Sequence, residues 1–138
     1  MSSGVTAPLG FRAAAVAAGI KPQGLDLALI VADQGCAAAA VFTQNRAQAA
    51  PVIVSREHVA SGQARGVVAN AGGANAGTGE QGLRDARETA ALLAREIGGR
   101  PEDVVVASTG VIGVNLPMEK MRAGIASAVP DLSREGGA

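Results

Sequence analysis

Between two apolar runs, Arg65 to Ala69 and Asp103 to Ala107, Leu83, Ala86, Ala90, Leu93, Ala94 and Ile97 recur at helical intervals. Arg84, Asp85, Arg87 and Glu88 fall mostly on the other face, so the spacing predicts an amphipathic helix over 80–97. Gly98-Gly99 ends it and Pro101 starts the connection to the next run. The second run carries consecutive valines without polar alternation, as in a strand covered on both faces. Strand, loop, helix, strand is the order of a crossover unit, which commits the chain to an α/β fold. It also brings the glycine-rich segment after each strand to one end of a sheet.

Those segments are where chemistry is expected. After Ala107 the apolar run ends in Ser108-Thr109-Gly110-Val111-Ile112-Gly113, a hydroxyl pair followed by glycines that permit close approach to the main chain. Asn115-Leu116-Pro117-Met118-Glu119 reads as a helix start, with Asn115 near the cap and Pro117 in the first turn. A strand feeding such a turn and then a helix is where α/β proteins place ligand-facing N–H groups and hydroxyls. The plainer alternative is a buried strand and an ordinary turn.

The other segment, Asn70-Ala71-Gly72-Gly73-Ala74-Asn75-Ala76-Gly77-Thr78-Gly79, invites a phosphate-loop reading. The Walker spacing would require lysine at Thr78, and no Gly-x-Gly-x-x-Gly run occurs. Set against it is a tight loop whose Asn70 and Asn75 side chains hold its own backbone. Thr78-Gly79-Glu80-Gln81 has the spacing of a capping box.

Upstream, Val5 to Phe11 reads as an extended entry, and Ala13 to Ala18 fits either a helix or a short edge strand. Asp26 to Ala32 and Ala37 to Thr43 are read as a β-hairpin turning at Asp33-Gln34-Gly35-Cys36. Cys36 is read as small filler in preference to a nucleophile. Asn45 and Arg46 have groups suited to a carboxylate, but on spacing they form a solvated loop. Val52 to Val54 reads as a strand, and Ser55 as the cap of a short helix with His58 on its surface. Met118, Met121, Ile125 and Val129 share one face of a last helix, over 117–129, stopped by Pro130.

Composition narrows the function classes. The chain has 138 residues, one domain or part of one, and folding alone would bury about two thirds of the unfolded surface. It has no Trp or Tyr, only Phe11 and Phe42, and a 48% hydrophobic fraction rich in alanine, so close approach of elements must replace bulky side chains. Twelve basic residues balance twelve acidic ones, which argues against a nucleic-acid surface. Cys36 and His58 make no metal-ligand set, and Cys36 has no partner for an internal disulfide. No apolar stretch reaches membrane-spanning length and nothing before Val5 resembles a signal peptide, so the expected location is the cytoplasm.

Four motifs then fall in one order: Val5-Thr6-Ala7-Pro8 with Gly10-Phe11; Ala40 to Asn45 leading to Ala50-Pro51-Val52; Asn70 to Asn75 with Thr78-Gly79; and Ser108 to Gly113 with Leu116-Pro117-Met118. Together they resemble the N-terminal part of the ornithine acetyltransferase family, the bifunctional glutamate N-acetyltransferases of the cyclic arginine pathway. The resemblance implies a layered α-β-β-α sandwich of the N-terminal-nucleophile type, of which 1–138 is a partial α-subunit domain ending before the cleavage motif. It implies self-cleavage before a downstream threonine, whose new α-amino group activates its hydroxyl. Acetyl would pass from N-acetylornithine to that threonine and then to glutamate; use of acetyl-CoA stays open.

Carried onto this sequence, the family's oxyanion hole is the Thr109 hydroxyl and the Gly110 N–H. No cofactor or metal is implied. The implied partner is the β-subunit of the same precursor, in an α2β2 heterotetramer, without nucleic acid or membrane. Family members commonly carry cysteine where this chain has Gly77, so a thiol there is not catalytic. With the nucleophile beyond Ala138, this piece alone should have no turnover. A related N-terminal-nucleophile aminopeptidase and a non-enzymatic nucleotide-binding domain built on the Gly72 loop are the alternatives.

Overall fold

A computed structural model of the chain describes residues 4–136. Met1 to Ser3 and the last two residues, which enter the readings of the chain's ends and of the limits 1–138, lie outside the described residues. In order come β1 (Phe11–Val16), β2 (Leu27–Ala37), α1 (Ala50–Val59), β3 (Gln63–Gly73), α2 (Gly79–Ile97), β4 (Val104–Val111) and α3 (Met118–Ala128). The four strands form one sheet in the order β1-β2-β3-β4. β1, β2 and β3 pair antiparallel, while β3 and β4 pair parallel across α2, the crossover that the sequence pattern requires.

One face of the sheet carries the core. Leu27, Leu29 and Val31 of β2, Val68 of β3, and Val104 and Val106 of β4 are buried in one cluster with residues of all three helices. Among them are Val54 of α1, Leu93 of α2 and Met121 of α3. Side chains alternate faces along a strand, and the intervening Ala28, Ile30, Val67, Ala69 and Val105 are only half-buried. The layer of helices therefore covers one face and leaves a small-residue apolar face opposite. The close approach expected of an alanine-rich core is present: a Cβ added to Gly66 would lie 2.9 Å from Leu93 Cδ2, and one added to Gly124 2.7 Å from Leu27 Cδ2. At the β1 border, Ala13 N–H donates to Ser133 O at 2.9 Å and Ser133 N–H returns the bond to Ala13 O at 3.2 Å.

Several sequence expectations change. The hairpin centred on Asp33 to Cys36 is instead the far half of the single strand β2, and β3 is its antiparallel partner. A register shift between Val31 and Cys36 lets the polar stretch ride in the strand as a bulge, so no turn is needed. The alanine run is an edge strand, because Ala14 pairs opposite Leu29. Val52 to Val54 lies inside α1: Pro51 stands in its first turn, where a missing N–H costs nothing, and the β-branched triplet forms a helical turn. Ser55 is consequently mid-helix and not a cap, and His58 is buried and not on the surface. α3 starts at Met118 with Pro117 at the cap position.

At α2 the left-handed Gly98 cap forms as expected, but the capping box does not. Thr78 Oγ1 donates instead to Asn75 Oδ1 at 2.8 Å, and Gln81 Nε2 donates to Asp85 Oδ1 at 2.7 Å. Asp85, expected on the polar face, is buried. Val5 to Gly10 is a pair of turns rather than an extended entry.

Candidate functional site

The parallel pair β3–β4 sets Asn70 opposite Ser108, Ala71 opposite Thr109, Gly72 opposite Gly110 and Gly73 opposite Val111. Both glycine-rich segments thus begin inside strands and lie side by side at one end of the sheet. The stitching continues beyond: Ala74 N–H donates to Val111 O at 2.9 Å, and Gly113 N–H donates to Ala76 O at 2.8 Å. Gly110 has φ 133° and Gly72 φ 112°, conformations that side chains strongly disfavour. A Cβ at Gly110 would collide with the Gly72 carbonyl and lie 2.6 Å from Gly73 N. Glycine at 110 is therefore a condition of the pairing.

Thr109 is exposed. By strand alternation it stands on the face away from the helices, in register with Val105 and Ala107. It borders a cavity of about 260 Å³ whose lining includes Asp26, Asn70 and Ala71. Past it, Val111, Ile112 and Val114 form an apolar lip, 59%, 71% and 57% exposed. A hydroxyl and a glycine main chain are thus presented at an uncovered corner of the sheet.

The polar groups around this corner hold it together. Asn70 Nδ2 donates to Gly73 O at 3.0 Å. Asn75, fully buried and left-handed with φ 48°, donates from Nδ2 to Gly82 O at 2.9 Å. A Cβ at Gly82 would sit 2.5 Å from Asn75 Oδ1, so that glycine makes room for the loop. With the Asn75 amide and the Thr78 hydroxyl engaged internally, the self-holding loop is what forms, in place of a phosphate cradle.

Asp26 ties the opposite wall. Its carboxylate accepts N–H bonds from Ala18 at 2.6 Å and Lys21 at 2.8 Å, while its carbonyl accepts from Ala71 N–H at 2.8 Å. Burial by itself would raise its pKa, but the N–H groups of Lys21, Ala18 and Ile20, with the Lys21 charge, hold it below the ordinary 3.8.

Sequence reasoning missed two residues of α1. Ser55 Oγ donates to Val106 O at 2.7 Å and accepts from Val106 N–H at 3.0 Å. His58 Nδ1 lies 2.7 Å from Val104 O; a carbonyl can only accept, so Nδ1 carries the proton. Both side chains are buried. Their signal was helical spacing on the face that carries Val54, hidden when Pro51 and the valines are read as a strand.

Elsewhere, Asn45 and Arg46 are exposed in the loop between β2 and α1, where Asn45 Oδ1 accepts from Ala47 N–H at 2.9 Å. Cys36 is half-buried, its thiol donating to Ala64 O at 3.3 Å. Among the described residues no cluster of His, Cys, Asp and Glu can hold a metal ion, and no helix is long and apolar enough to cross a membrane.

A family model described as the ArgJ family matches residues 12–138. The chain belongs to the ArgJ family. It is 53% identical over 141 residues to the arginine biosynthesis bifunctional protein ArgJ of Symbiobacterium thermophilum, with 100% of the chain and 35% of that relative covered. It is 55% identical over 135 residues to the protein of the same name from Thermobifida fusca, covering 96% of the chain and 35% of the relative. The chain therefore spans about a third of the length of these ArgJ relatives. Among solved structures it superposes with TM-score 0.93 and 44% identity on ornithine acetyltransferase from Mycobacterium tuberculosis, complexed with ornithine. That match covers 98% of this chain and 76% of the other.

Proposed function

We propose that the full-length ArgJ protein is a cytoplasmic acetyltransferase of arginine biosynthesis that moves acetyl from N-acetylornithine to glutamate. The observation that carries the reading is the exposed Thr109 hydroxyl beside Gly110, at a corner of the sheet that the helices leave open. Its support is the superposition on an ornithine acetyltransferase. A threonine downstream, freed by self-cleavage, passes its hydroxyl proton to its own α-amino group and attacks the acetyl carbon, and the carbonyl π pair moves onto oxygen. The Thr109 hydroxyl and the Gly110 N–H donate to that oxyanion, each worth about 3 to 4 kcal/mol to the transition state. Collapse breaks the C–N bond, and ornithine leaves as its amine after taking a proton. The glutamate amine then attacks the acyl carbon and gives up a proton to the α-amino group; the ester C–O bond breaks, the threonine oxygen takes that proton back, and N-acetylglutamate leaves. The portion 1–138 supplies half of this site, has no turnover alone, and joins the β portion in an α2β2 assembly.

The test is Thr109→Val in the full-length protein, which keeps shape and branching but removes the donor. Self-cleavage and acetyl transfer should both slow about a hundredfold or more, mainly in kcat. Thr109→Ser should retain most of both rates. A valine variant that folds, matures and turns over within a few-fold of the parent would sink the oxyanion role.

A further inference from the structure

Among the described residues β4 is the last strand of the sheet, so one of its borders has no neighbouring strand there. Along the first half of that border α1 takes the neighbour's place. Ser55 uses one hydroxyl both to donate to Val106 O and to accept from Val106 N–H, the pair of bonds that an adjacent strand would supply. One turn on, His58 Nδ1–H holds Val104 O. Both are buried, so these bonds are shielded from competing water. On the β3 side the strand is held through Val111, where the Gly110–Gly72 contact leaves no slack. The position of Thr109 along the sheet is thus set from two sides, by a glycine contact and by a helix side chain three residues upstream.

We infer that Ser55 is a positioning residue for the oxyanion site, acting through the Val106 backbone to hold the register and tilt of β4 at Thr109 and Gly110. The inference rests on the oxyanion reading above. Ser55 touches no reacting atom, and its role is to keep the two donors aimed.

The experiment compares Ser55→Ala, Ser55→Thr and Val54→Ala in the full-length protein, with Thr109→Val as reference. Val54 is fully buried on the same helix and has no hydrogen bond to β4 from its side chain, so Val54→Ala reports lost packing of α1 with the hydrogen bonds to β4 kept. Ser55→Ala should lower kcat and the self-cleavage rate by about tenfold with KM within about twofold. Ser55→Thr, which restores the hydroxyl, should recover most of the loss, and Val54→Ala should stay within about twofold of the parent in kcat. If Ser55→Ala yields too little folded protein, the same readings on Ser55→Cys, similar in size but a weak hydrogen-bonding partner, decide. An alanine variant within twofold of the parent, or an equal kcat loss in Val54→Ala, overturns the inference.

Should Thr109→Val keep the parent rate, the oxyanion reading fails, and hydrogen exchange then decides the inference. Amides of Ala107 and Thr109, which alternate with Val106 and so face β3, should exchange at least about tenfold faster in Ser55→Ala than in Val54→Ala. Equal exchange overturns the positioning role whatever the kinetics show.

Discussion

The two halves of β4 share a strand and a partner but not a purpose. From Val104 to Val106, alternate side chains enter the core and the outer border is bonded by Ser55 and His58 of α1. From Ala107 to Val111 the side chains are half-buried or exposed. That half keeps its place through the β3 pairing and the tight Gly110–Gly72 contact. Packing anchors one half and backbone geometry anchors the other. An exposed corner of a sheet can therefore be held in place without being covered, provided that the covered half of the same strand is fixed.

The largest effect that tests this contrast is Gly110→Ala. The new methyl meets the Gly72 main chain in a conformation of φ 133°, so urea unfolding of the full-length protein should show a loss of roughly 3 kcal/mol or more. A small loss would mean that the open half is not held by its backbone. Next is the pair Val104→Ala and Val111→Ala. The first empties a fully buried site and should cost about 2 kcal/mol, by lost burial plus cavity. The second truncates a side chain 59% exposed in this chain and should cost within about 0.5 kcal/mol. Equal costs would show that the rest of the full-length protein covers the open half, which would sharpen the contrast into a property of this portion.

The smallest effect concerns Asp26, which borders the open corner. Because its folded pKa lies below 3.8, the native state binds fewer protons than the unfolded chain near that pH. Its contribution to stability is present above 3.8 and disappears as pH falls through the lower folded value. Asp26→Asn should flatten that part of the acid-unfolding profile while lowering stability at neutral pH. An unchanged profile below pH 4 would show that another carboxylate sets the acid limit.

The sequence carried the crossover plainly. Leu83 to Ile97 keeps a helical period and the flanking valine and alanine runs do not, so β3-α2-β4 and the meeting of the two glycine segments follow from pattern alone. Thr109 and Gly110 were marked by the change from branched to small residues. The differences have a common origin: local propensity describes Pro51, Asp33 and Gly35 in isolation, whereas their conformations depend on distant partners. The β2 bulge is stabilised by β3, and the α1 face by β4, which no local window contains. Asn75 was legible as a loop-holder, because asparagine tolerates a left-handed backbone and carries its own bonding group. Ser55 and His58 were not, since a helix side chain bonding a strand border has no signature in spacing.

One feature at the opposite border bears on how the molecule is made. β1 leaves the ribosome well before Ser133, the residue that bridges its outer side among the described residues. Until then that border can pair with any extended chain nearby. The bridge thus acts in time as well as in space, closing an early strand with later-made residues and shortening the period during which nascent copies on one message can stick to each other.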